Sequence, residues 1–95
     1  MEKISIIFED DAVRVEEIFS FGFVSPDGFW YDQDESELVY IAEGFAKLEL
    51  DGEIVALNKG ESYFIEKHKK HRVNYTSNDC KWICVFEKDK EGHKI

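Results

Sequence analysis

The sequence predicts an all-β domain of antiparallel strands, arranged as a sandwich or barrel. Three observations carry that prediction. The helical period is nearly absent from the 95 residues, whereas period-two stretches recur with turn residues between them. Apolar residues make up 43% and include Phe 8, Tyr 4 and Trp 2, side chains that suit a half-buried pleated surface. No segment offers the crossover helix that a parallel sheet requires.

The elements follow in order. Ile4-Ser5-Ile6-Ile7-Phe8 reads as a first strand, apolar on both faces. Val13-Arg14-Val15-Glu16 alternates cleanly, and a further alternation at Phe19, Phe21 and Phe23 carries Gly22 as a bulge or a point of close approach. Ser25-Pro26-Asp27-Gly28 places Pro and Gly where a tight turn wants them. Leu38-Val39-Tyr40-Ile41 is the next strand, closed by Gly44. The clearest local signal is Asp51-Gly52 between Ala46–Leu50 and Glu53–Leu57, because both positions of a two-residue hairpin turn need positive φ. That turn pairs Leu48 with Val55 and Ala46 with Leu57. Ser62–Ile65, His71–Tyr75 and Lys81–Phe86 bring the count to eight or nine strands. Val39, Ile41, Ala46, Leu48, Val55, Leu57, Ile65 and Val73 are the expected core. The chain reads as one domain, with a barrel core at about residues 12–87 and a charged tail, 88–95, expected to fray.

Charge and composition exclude several function classes. The net charge of −9 opposes binding to nucleic acid. Residues 1–50 hold 13 acids and 3 bases, a balance of −10, while residues 51–95 hold 8 acids and 9 bases, a balance of +1. Only the run Lys67-His68-Lys69-Lys70-His71-Arg72 is placed to meet an anion. No apolar run approaches the roughly 18 residues that span a bilayer, so no membrane role is expected. Met1-Glu2-Lys3-Ile4 lacks the features of a secretory signal, and the cytoplasm is the expected compartment. Cys80 and Cys84 sit four apart on a strand, a span of about 13 Å that no disulfide bridges, so both are expected to be reduced.

Polar residues that break the alternation cluster at Trp30–Glu37 and at Glu66–His71. Glu37, six residues and then Gly44 resembles the second half of the first cupin motif. Gly60, five residues, Glu66 and then His71 resembles the second motif, with its closing histidine in register. The intervening stretch of about fifteen residues, with a hairpin inside it, is also similar to cupins, whose motifs bracket such a turn. The resemblance covers roughly residues 15 to 86 and implies a jelly-roll barrel, an all-β fold of antiparallel strands.

The same resemblance implies a site. Its family holds a divalent metal (Zn, Mn, Fe or Ni) through two histidines and a glutamate of the first motif and a histidine of the second. Glu37 and His71 occupy the glutamate and second-motif histidine positions. The two first-motif histidine positions carry Tyr31 and Gln33 under the shorter family spacing, or Trp30 and Asp32 under the longer. Glu66 stands where Pro is usual, and His68 where Gly is usual. Glu37, His71, Gln33 and Tyr31 are therefore the candidate metal ligands. Trp30, Tyr40, Glu37 and His71 are the candidate walls of a small-molecule pocket. A small-molecule-binding domain is the leading reading, with a metal-dependent isomerase, decarboxylase or oxygenase and a structural dimerisation domain as alternatives. Apolar residues on both faces of the first and last strands, together with the resemblance, point to a homodimer.

Overall fold

The computed structural model describes residues 2–88 and is built from strands, in two antiparallel sheets. The strands are β1 Lys3–Glu9, β2 Val13–Phe19, β3 Ser36–Glu43, β4 Phe45–Leu50, β5 Glu53–Asn58, β6 Ser62–Ile65, β7 His71–Thr76 and β8 Lys81–Glu87. One sheet has the order β1-β2-β8-β3-β6 and the other β5-β4-β7, the two layers of a jelly roll. No helix among the described residues is long and apolar enough to cross a membrane. Of the charged tail predicted at 88–95, Lys88 is held, its N–H donating to Ala12 O at 2.8 Å, and residues 89–95 lie outside the described residues.

The β4–β5 hairpin forms as its turn chemistry requires. Asp51 and Gly52 have φ of 45° and 77°, and Leu48 faces Val55 while Ala46 faces Leu57. Gly44, between β3 and β4, is needed for space as well as conformation. Its φ is 78°, and a Cβ there would lie 2.3 Å from Ser77 Oγ and 2.9 Å from Cys80 Cα.

The core lies between the sheets, where Val39, Ile41, Ala46, Leu48, Leu57, Ile65 and Val73 are buried as expected, joined by Leu50, Trp82, Cys84 and Phe86. Val55 departs from expectation. It is only half-buried, because β5 is the edge of the smaller sheet. Cys80 and Cys84 are buried and free.

The Phe19–Phe23 segment also departs from expectation. Strand β2 ends at Phe19, and Phe23 N–H donates to Ser20 O at 2.9 Å across a turn with Phe21 at φ 51° and Gly22 at φ 81°. The buried Ser20 fixes that turn. Its hydroxyl accepts from Trp82 Nε1 at 2.9 Å and donates to Glu2 Oε2 at 2.9 Å, so the indole N–H is satisfied inside the core.

On the outside of the larger sheet, registered neighbours form an apolar row across all five strands: Phe64, Leu38, Val85, Val15 and Phe8. Phe64 and Phe8 are each 53% exposed.

Candidate functional site

Strand parity decides which side chains meet between the sheets. In β3, Glu37, Val39 and Ile41 point inward, and Leu38 and Tyr40 point out. In β7, His71 and Val73 point inward. Glu37 thus belongs to one sheet and His71 to the other. The segment before β3 is fastened to the segment before β7. Tyr31 N–H donates to His71 O at 2.7 Å, His71 N–H to Tyr31 O at 3.1 Å, and His68 N–H to Gln33 O at 2.6 Å. Lys67 N–H donates to Ser36 Oγ at 3.1 Å. The Tyr31 ring stacks on the imidazole at 5.3 Å. Tyr31, Gln33, Glu37 and His71 consequently line one cavity of about 230 Å³ between the sheets.

The ionisation states follow from burial. His71 Nδ1 lies 2.8 Å from Lys69 O. A carbonyl only accepts, so Nδ1 carries the hydrogen and the neutral ring presents its Nε2 lone pair to the cavity. Burial lowers the His71 pKa and holds the ring neutral. The Glu37 carboxyl is pushed up to about 7, chiefly by burial, with Glu16 and Glu2 adding to the rise. The Cys84 thiol hydrogen bond and Arg14 oppose it. His71 Nε2 and Glu37 Oε1 are 3.9 Å apart, beyond hydrogen-bond length. Near neutral pH they are an uncharged imidazole facing a carboxyl balanced between its two forms, and a third group can reach both from the cavity.

Arg14 and Glu16 of β2, together with Glu2, complete the polar wall, and the sequence reading did not single them out. Arg14 donates from Nη1 and Nη2 to Glu35 at 3.1 and 2.9 Å and from Nε to Glu16 Oε2 at 2.8 Å. Its guanidinium also covers the Phe86 ring at 4.4 Å. The available signal was an Arg and a Glu two apart on a strand, with Ile18 two further on, which places all three on one face.

Two of the residues expected in the pocket lie outside the lining of this cavity. Tyr40 is 41% exposed on the outer face, since it has the opposite parity to Glu37. Trp30 is 39% exposed and lies beside the Arg72 guanidinium, outside the cavity wall. Phe86, Trp82 and Tyr31 are the aromatics that line it. The basic run does not face the cavity apart from His71. Lys69 pairs with Asp51, His68 with Asp32 at 2.9 Å, and Arg72 donates to Ser25 O at 2.7 Å.

The residues present do not fit a resident divalent metal. Such a metal wants three or more imidazole, carboxylate or thiolate donors. Among the described residues no group of three or more His, Cys, Asp or Glu side chains is arranged to hold one. The candidate set offers one imidazole, a carboxyl whose pKa burial raises to about 7, an amide, and a phenol that burial keeps protonated. Cys84 lies beside Glu37, but burial raises its thiol well above the usual range, chiefly favouring the protonated form.

Comparison with known proteins agrees with this architecture. The family model described as a cupin domain matches residues 25–86. A crystal structure from Ralstonia eutropha JMP134, of a protein described as a candidate mannose-6-phosphate isomerase, superposes with a TM-score of 0.88 at 29% identity, covering 94% of this chain and 86% of that one. KdgF from a Halomonas species gives a TM-score of 0.80 at 18% identity, with 95% and 82% coverage. A cupin superfamily protein from Desulfitobacterium hafniense DCB-2 gives 0.80 at 16% identity, with 94% and 79% coverage. No curated protein matches the chain.

Proposed function

The chain belongs to the cupin domain family, and on that footing we propose that it binds a small organic molecule inside the barrel, between Glu37 and His71, without a resident metal. The observation that carries this reading is the gap between those two groups. A buried imidazole lone pair and a buried carboxyl face each other at 3.9 Å without bonding, in a cavity of about 230 Å³. Glu37 has only the weak Cys84 thiol bond and Nε2 is open to the cavity, so a hydroxyl or amine that donates to Nε2 and bonds the carboxyl is favoured there. Trp82, Phe86 and Tyr31 supply the apolar wall that small-molecule sites generally have.

The metal-dependent alternative, an isomerase, decarboxylase or oxygenase, draws its support from the family and from the R. eutropha neighbour. The donor set speaks against it, and the charge of the wall, which among the described residues holds no uncompensated cation, speaks against a sugar phosphate as the substrate. The test is metal content of protein purified without an affinity tag, together with thermal midpoints in Zn²⁺, Mn²⁺ and Ni²⁺. The expected result is substoichiometric metal and an unchanged midpoint. A stoichiometric ion, or a midpoint that rises with one of these ions and no longer does so in His71→Ala, would overturn the metal-free reading.

A further inference from the structure

The charges on the cavity wall restrict what the site receives. Three carboxyls line it, Glu2, Glu16 and Glu37, against one cation, Arg14. That cation is already neutralised. Its two terminal nitrogens are held by Glu35 and its Nε by Glu16. Glu16 has a second oxygen, Oε1, with no hydrogen bond among the described residues. The nearby Lys67–Arg72 run contributes no cation to the wall. An anion entering here would lose its hydration and meet carboxylates, with no free positive group among the described lining residues to compensate.

The acidic wall does not stand alone. His71 is 5% exposed, and its Nε2 faces Glu37 Oε1 at 3.9 Å in the same cavity, an acceptor open to a donor. An ammonium is a donor with three hydrogens and no acceptor, so it matches both the lone pair and the carboxylates.

We propose that this cavity selects a small organic molecule bearing a protonated amine, whose ammonium is received by His71 Nε2 and the carboxyls of Glu37 and Glu16, and that it excludes carboxylates and phosphates. This deepens the small-molecule reading above and rests on it. The cation preference also separates this chain from the sugar-phosphate substrate named for the R. eutropha neighbour.

The test uses three probes that share an isobutyl group and differ in the charge of the head group: isobutylammonium, isobutanol and isovalerate. Each is titrated into uniformly ¹⁵N-labelled protein at about pH 8, where Glu37 is mostly ionised. The expected result is saturable shifts at cavity-lining amides with isobutylammonium, at least tenfold tighter than with either other probe. Glu16→Gln should reduce that preference severalfold. Asp27→Asn, which removes the same charge from an exposed turn, should leave it unchanged. Isobutanol or isovalerate binding as tightly as the ammonium would overturn the cation preference and leave small-molecule binding standing. Equal effects of the two substitutions would also overturn it. Failure of all three probes to reach the cavity amides would overturn the small-molecule reading together with the preference.

Discussion

Replacing Glu37 by Gln should stabilise the protein at high pH and leave it nearly unchanged at low pH. The folded carboxyl has a pKa of about 7 against an ordinary 4.5, chiefly because it is 7% exposed between two sheets. The folded state therefore binds this proton more tightly than the unfolded chain does. The associated stability is fully present below pH 4.5 and is lost as pH rises through about 7. At about 1.4 kcal/mol for each tenfold difference in proton affinity, the ionised form destabilises the fold by about 3 kcal/mol above pH 8. Glutamine has the same shape and cannot ionise, so that penalty is absent from the variant. Urea unfolding of both proteins at about pH 5 and pH 8.5 reads the difference directly, since carboxylates elsewhere titrate alike in both. The variant should gain about 2–3 kcal/mol at the higher pH and change by less than about 1 kcal/mol at the lower. An equal change at both pH values would refute the assignment of a buried, shifted carboxyl.

Three further outcomes are expected. Gly44→Ala should destabilise by at least about 2 kcal/mol more than Gly52→Ala, because both have positive φ but only Gly44 has neighbours inside van der Waals range; similar midpoints for the two variants would contradict this. Arg14→Gln should move the Glu37 titration, followed by carboxyl ¹³C NMR, to higher pH, since Arg14 is one of two groups that lower it; an unmoved or lowered titration would show that Arg14 does not act on the cavity. We also propose that a second copy covers the apolar row Phe64, Leu38, Val85, Val15 and Phe8 on the outer sheet. Sedimentation should show a dimer that Val85→Lys dissociates, and a wild-type monomer at tens of micromolar would end that proposal.

What the sequence discloses depends on how local the cause is. The Asp51-Gly52 hairpin is legible because its two turn residues and its alternation lie within a dozen positions. Glu37 and His71 are legible through motif spacing. Tyr40 is excluded by parity alone, since an inward Glu37 with inward Val39 and Ile41 leaves position 40 facing out. The role of Arg14 and Glu16 is harder to read. Every residue of β2 is half-buried, so alternation separates its two faces without telling which one is inside. Here the polar face is the inner one, reversing the usual expectation. The Phe21-Gly22 turn escapes notice because Phe seldom takes positive φ, and the group that fixes it, Trp82, lies 62 positions from Ser20.

The position of β8 sets an order of events during synthesis. It is the last of the eight strands among the described residues, yet it lies between β2 and β3 at the centre of its sheet. Until Lys81–Glu87 emerges, β1–β2 and β3–β6 are two separate ladders flanking a gap one strand wide, and Trp82, Cys84 and Phe86 are missing from the core. At about 5–20 residues per second, the ribosome leaves those two edges unpaired for seconds while the rest of the chain is made. The vacancy is a template for any extended apolar strand, including the β8 of a neighbouring nascent chain. Polysomes making this protein thus bring matching donors and gaps close together, and strand exchange between siblings is the misassembly its topology invites.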